Sequence, residues 1–251
     1  LPARRAAQTQ MTTTSAVLAP ATAGPARRWG LALLLAAVCV LPWLLPEKGY
    51  ALRIACLILL FAALAQAWNI AAGLSGLISL GHAGFFGAGA YMSTLLLINF
   101  HISPWLGLIA ATAFGALLAA ALSYPTMRLS GHYFALATLA FGEVMRVIGN
   151  SWKTVTGGPV GLSVPFSDPS FTLMQFQSLR PYFYIMLVAL VVTCLVFDRI
   201  RRGALGLRLR ALKNHHDAAS SLGVDTARAK FTVAVISGGL TAAIGVRLLG
   251  R

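Results

Sequence analysis

The chain has 251 residues, 58% hydrophobic and only 10% charged, which excludes an ordinary soluble domain, where roughly a quarter of residues carry charge. Its net charge of +14, from 20 basic and 6 acidic side chains, raises nucleic acid as a partner. Apolar runs of about 20 residues recur along most of the chain, however, and identify an all-α, polytopic helical membrane protein whose partner is the lipid bilayer, not nucleic acid. The runs show no period-2 alternation, so a transmembrane β-barrel is excluded.

Residues 1–28 are rich in Ala, Thr, Pro and Arg and are expected to form a disordered, basic, cytoplasmic tail ahead of a membrane domain spanning 29–251. Arg27 and Arg28 precede an apolar run in the manner of a signal peptide, but the run is long and ends in LPEKGY without a small-residue cleavage site. It is therefore predicted as an uncleaved first membrane helix. Seven helices are predicted, at about 29–46, 50–72, 83–100, 104–124, 131–150, 181–198 and 231–249. With the amino terminus inside, the 125–130 turn with Arg128 is cytoplasmic. The 151–180 loop, with only Lys153 and Arg180, is outside. The 199–230 loop, with eight basic residues, is cytoplasmic again. Helix count and charge asymmetry thus agree on one topology.

Residues 66–91, QAWNIAAGLSGLISLGHAGFFGAGAY, join the second and third helices and carry Gly73, Gly76, Gly81, Gly84, Gly87 and Gly89. Glycine costs about 1 kcal/mol against alanine in a helix interior, and irregular backbone survives at membrane depth only when packed in protein or lining a cavity. The segment predicts a broken helix in the wall of a pathway. Its polar members Asn69, Ser75, Ser79 and His82 are the candidate pathway residues, with Gly73, Gly76 and Gly81 shaping the backbone. His82 suits either a bond to the broken backbone or a substrate contact.

The fourth helix carries Gly107, Ala111, Gly115 and Ala119 at i, i+4 spacing, a ridge that lets another helix approach closely. On the fifth, Glu143 and Arg146 stand one turn apart and can pair. Charges inside a membrane helix cost roughly 2.5–3.5 kcal/mol each on insertion scales, so Glu143 joins the pathway candidates, with a structural ion pair as the alternative. The outer loop, with Gly157, Gly158, Gly161, Pro165 and Pro169, predicts a compact turn. Residues 171–179, FTLMQFQSL, predict a short interfacial helix.

Catalytic and metal motifs are absent from the sequence. None of the four lysines follows a glycine, so there is no phosphate-binding P-loop. GAGAYM at 87–92 lacks the third glycine of a dinucleotide fingerprint. The cysteines Cys39, Cys56 and Cys194 lie in apolar runs without metal or disulfide spacing. The six acidic residues offer no acid/base pair. The expectation is a protein that is not an enzyme and binds no cofactor or metal itself.

In the inner loop, Arg208, Arg210 and Lys213 precede Asp217, Ala218 and Ala219, and Gly223 follows. Residues 216–223 predict a short helix with a glycine stop, suited to docking into a groove on a cytoplasmic partner. This D-A-A-x-x-x-G resembles the coupling motif of ABC importer permeases, with Asp217 where Glu is usual. Four pieces in order, AWNIAAGLSGLISLGHAGFFGAGAY (67–91), GHYFALATLAFGEVMRVI (131–148), TGGPVGL (156–162) and GLRLRALKNHHDAASSLGVDTARAKF (206–231), resemble the permease subunits of branched-chain amino acid importers of the LivM type.

The resemblance implies half of a pathway for leucine, isoleucine and valine in a bacterial inner membrane. A homologous second permease would complete it. Two cytoplasmic ATP-binding subunits would supply the ATP site, and an extracytoplasmic binding protein would deliver substrate. Arg208, Arg210, Asp217, Ala218, Ala219 and Gly223 would form the coupling surface. Urea or short amides are the rival substrates, and an ATP-independent channel or carrier is the rival mechanism. Arg247 interrupts the last apolar run where relatives continue, so a truncated carboxyl terminus is also expected.

Overall fold

The computed structural model describes residues 25–46, 49–76, 78–126, 132–162, 171–214 and 226–246. The chain divides into two units, 1–45 and 46–251. The first contains helix α1, Pro25–Leu44. A proline opens it, where the missing N–H is not needed. Its side chains Leu33, Leu34, Val40, Trp43 and Leu44 are exposed, as suits a helix solvated by lipid. Pro25–Arg28, assigned from sequence to the tail, already belong to this helix.

The second unit is helical throughout its described length apart from turns and one bridge residue. Helices α2 (Tyr50–Ser75), α3 (His82–Phe100), α4 (Pro104–Thr126) and α5 (His132–Ser151) are followed by a single turn, α6 (Lys153–Thr156), and a 3₁₀ turn at Gly158–Val160. Then come α7 (Arg180–Arg202), α8 (Ala204–Asn214) and α9 (Thr226–Gly245). All seven long helices lie within a few residues of the predicted positions. Among the described residues, five are long and apolar enough to cross a membrane: α2, α3, α4, α7 and α9. In α5, Glu143 and Arg146 lower the apolarity. In α1, the qualifying apolar stretch is only Leu33–Leu44.

Helix α9 lies at the centre and packs along α4, α3 and α2, while α7 packs on α2 and α5 on α3. Close approach depends on residues with little or no side chain. A Cβ added at Gly89 of α3 would overlap the backbone of Ala242, and one at Gly115 of α4 would overlap the Ala242 side chain. Gly107, Ala111, Gly115 and Ala119 are all buried, so the predicted ridge on α4 does mediate helix packing. Elsewhere in the unit, Leu209 of α8 inserts into a cluster of Ile70, Ala71, Leu74, Ile200, Ala229 and Val233.

Two expectations are corrected. Residues 171–179 form turns, not an interfacial helix. Met174 adopts φ +49°, a left-handed conformation that no continuing right-handed helix accommodates. The segment is instead fixed by side chains at the helix ends. Trp105 Nε1 donates to the Phe171 carbonyl at 3.1 Å, and Tyr182 Oη donates to the Met174 carbonyl at 3.0 Å. The second correction concerns the helix bounds around the 199–230 loop, whose flanks are helical. Helix α7 runs on to Arg202, α8 occupies 204–214, and α9 begins at Thr226. The sequence ALGLRLRALKN consists largely of strong helix formers, and Leu209 gives it a buried anchor. The predicted helix at 216–223 lies outside the described residues.

Candidate functional site

The break between α2 and α3 is built from both sides. Helix α2 stops at Ser75 because Gly76 takes φ +73°, and its N–H closes on the Ala72 carbonyl at 3.0 Å. A left-handed cap of this kind favours glycine, since a Cβ is strained there. Residues 78–81 are not helical, and α3 begins at His82. Gly81 is buried against α5, where an added Cβ would overlap the Thr138 carbonyl.

Unpaired backbone at membrane depth needs partners, and side chains provide them. Trp68 Nε1 donates to the Ser79 carbonyl at 2.7 Å. The Leu80 N–H donates to Thr138 Oγ1 at 3.0 Å, and that hydroxyl donates onward to the Ala135 carbonyl at 2.9 Å. Ser75 Oγ donates to the Ala71 carbonyl at 2.5 Å, which places that hydroxyl back on its own helix. The Asn69 side chain lies across Gly73, so closely that a Cβ there would overlap its Oδ1.

His82 ties the break to α9. Its Nδ1 is 3.0 Å from Ser79 Oγ and its Nε2 is 2.8 Å from Ser237 Oγ. Ser237 in turn donates to the Ala67 carbonyl of α2 at 2.7 Å. A hydroxyl has one proton, so Ser237 must accept from the imidazole and Nε2 carries the hydrogen. A neutral ring with Ser79 donating to Nδ1 then satisfies every atom of the chain. The relay Ser79–His82–Ser237–Ala67 therefore joins the break, α3, α9 and α2. Among the described residues the imidazole has no carboxylate partner, and its two ring nitrogens meet the hydroxyls of Ser79 and Ser237.

Asn69, Gly73, Ser75, Gly76, Ser79, Gly81 and His82 thus gather at one junction. Glu143 does not point into it. It follows Gly142, where an added Cβ would stand 3.4 Å from the Gly81 Cα, but its side chain is exposed and paired with Arg146. Arg146 Nε donates to both carboxylate oxygens at 3.0 Å. Sequence reasoning missed Thr138 and Ser237. Thr138 lies within GHYFALATLAFGEVMRVI (131–148), and Ser237 precedes the Gly238–Gly239 pair, but neither residue type announces a partner 58 or 155 positions away.

Between α7 and α9, the candidates Arg208 and Arg210 are exposed on α8, on either side of buried Leu209. Arg210 Nη2 donates to the Arg201 carbonyl at 2.9 Å, near the end of α7. Gly206 closes the α7–α8 corner, where a Cβ would overlap the Ile200 carbonyl. Asp217, Ala218, Ala219 and Gly223 lie outside the described residues.

Residues 50–249 match the family described as branched-chain amino acid transport system permease component. Two curated relatives carry the description high-affinity branched-chain amino acid transport system permease protein LivM, one from Salmonella typhimurium and one from Escherichia coli. Each is 30% identical over 254 residues, covering 92% of this chain and 60% of the relative's length. No solved structure matches the chain.

Proposed function

The chain belongs to the family of branched-chain amino acid transport system permease components, and from that premise we propose that it forms half of the translocation pathway of an ATP-driven importer for leucine, isoleucine and valine. The observation that carries the pathway reading is the α2–α3 break. Its backbone is irregular within a membrane bundle, and side chains from three helices, α2, α5 and α9, hold it in place. Asn69, Ser75, Ser79, His82 and Glu143 are the proposed pathway residues, with Gly73, Gly76 and Gly81 giving the backbone its shape.

The remaining assembly follows from the same reading. A second, homologous permease completes the pathway. Two cytoplasmic ATP-binding subunits hold the nucleotide, and an extracytoplasmic binding protein delivers substrate. The coupling surface comprises Arg208, Arg210, Asp217, Ala218, Ala219 and Gly223, and the basic inner segments support a cytoplasmic amino terminus in a bacterial inner membrane. Helix α9 would transmit ATPase movement as a rigid body together with the α3 and α4 helices packed on it, because it follows the coupling segment and carries Ser237 to His82. A ligand or ATPase moves such an element only through unequal affinity for its two positions.

The test is labelled leucine uptake by the complete importer in proteoliposomes, with and without internal ATP and with urea as the competing cargo. ATP-dependent leucine uptake is expected. Flux that persists without ATP and without the partner subunits would identify a channel or carrier. Uptake of urea alone would replace the substrate.

A further inference from the structure

The Glu143–Arg146 pair is unusual for its position. Both side chains are more than half exposed, at 58% and 63%. Glu143 lies eight residues before the end of α5, about 12 Å along a helix of 1.5 Å rise and near the middle of its 20 residues. Its exposed neighbours Leu139, Val144 and Val147 are apolar. Facing lipid, such a pair is costly, and ionisable groups in membrane helices face protein or a watery cavity almost without exception. The pair also sits at the edge of the break, since Gly142, the preceding residue, packs on Gly81.

The pairing leaves binding capacity on both partners. Arg146 gives its Nε–H and one Nη2–H to Glu143. Three of the five guanidinium N–H groups have no acceptor among the described residues, and the carboxylate oxygens retain lone pairs. An α-amino acid carries one carboxylate and one ammonium on a single carbon, the charge complement of this pair.

Building on the amino acid reading above, we infer that Glu143 and Arg146 recognise the zwitterionic head of the transported amino acid by exchange of partners. The substrate carboxylate takes the guanidinium fork, a bidentate geometry for which arginine is suited. The substrate ammonium takes the Glu143 carboxylate. Without substrate the two residues neutralise each other, so neither state leaves a bare charge in the membrane. Because each new ion pair replaces an old one, net binding stays weak enough for release. A neutral amide or urea has no charges to exchange and gains nothing.

The experiment uses the complete importer in proteoliposomes, with assembly checked by co-elution of the subunits. Leucine uptake is measured against leucinamide, which lacks the carboxylate, and 4-methylpentanoate, which lacks the ammonium. Neither competitor should inhibit the unmodified importer. Glu143→Gln and Arg146→Gln should each lower uptake about tenfold to a hundredfold, the scale of one lost charged hydrogen-bond set. The double neutral variant avoids a lone charge, and the swap Glu143→Arg with Arg146→Glu restores the intrahelical pair with reversed polarity. Both should assemble yet remain at least about tenfold below the unmodified importer. Uptake by either within twofold of that level would reduce the pair to a structural ion pair and overturn the inference. If the unmodified importer carries urea and not leucine, the substrate reading falls, and the inference falls with it.

Discussion

Helices α5 and α9 are each 20 residues long, and they meet the bundle in opposite ways. Along α9, Ser237, Gly238, Thr241 and Ala242 are buried, and small residues let its backbone touch α3 and α4. On α5, Phe134, Thr138 and Gly149 are the buried residues among those described, and the other side carries an ion pair among apolar groups. Helix α9 is held by shape along its carboxyl-terminal half, from Ser237 to Gly245. Helix α5 is held at a few points, chiefly Thr138 on Leu80 and the Phe141–Met145 turn against Gly81 and Gly84. The contrast separates a helix locked against its neighbours from one held at a few points; in the proposed pathway the first would serve as scaffold and the second as adjustable wall.

The largest effect should come from disturbing the scaffold. Gly89→Val would drive a branched side chain into the Ala242 backbone, where no rotamer change offers relief. A loss of about 3 kcal/mol is expected, the upper part of the overpacking range. It should appear as a lowered melting temperature or as little folded protein recovered in detergent. Gly87→Ala, two residues earlier with nothing within 4 Å of the added carbon, should stay within about 0.5 kcal/mol of the parent. Equal effects at the two positions would mean that α3 and α9 are not in backbone contact.

The scaffold was the more legible part in the sequence. Length and apolarity placed the long helices, and the i, i+4 row from Gly107 to Ala119 announced a packing ridge because small residues at that spacing let two helices touch. The break was legible for a similar reason, since Gly76 and Gly81 weaken an apolar helix unless the chain must turn or pack closely there. The relay was not. A serine in a membrane helix bonds its own preceding carbonyl as readily as a distant histidine, as Ser75 does with Ala71. Ser237 could be distinguished only once α9 was seen beside Ala67 and His82. The helix predicted at 171–179 failed because three-dimensional anchors, Trp105 and Tyr182, override a weak local preference.

An intermediate effect is expected where the scaffold meets the break. His82→Ala would leave the Ser79 and Ser237 hydroxyls without their shared partner and open a cavity beside Phe85, whose ring meets the imidazole edge at 5.9 Å. About 2–3 kcal/mol should be lost. His82→Gln offers an amide N–H toward Ser237 and an oxygen toward Ser79, so it should recover at least half of that loss. Thermal melts of the two variants in one detergent measure the difference. If alanine and glutamine behave alike, the ring acts by filling space, and the hydrogen-bond relay does not join α9 to the break.

The smallest effect tests the attachment of the adjustable wall. Thr138→Val keeps volume and branching but removes the acceptor for the Leu80 amide, which lies on broken backbone with no helical carbonyl to replace it. The lost hydroxyl also releases the Ala135 carbonyl, but that group stays within its own helix. A destabilisation of about 1–1.5 kcal/mol, the net value of one such bond, corresponds to roughly tenfold faster local opening. Hydrogen exchange at the peptide containing Leu80 should therefore accelerate by about tenfold, while exchange in α9 stays unchanged because its contacts are independent of Thr138. If exchange accelerates in α9 as well, α5 and α9 open as one unit and the division between fixed and adjustable helices is wrong. If neither changes, packing of Phe141 and Gly142 on Gly81 holds α5 to the break without help from the threonine.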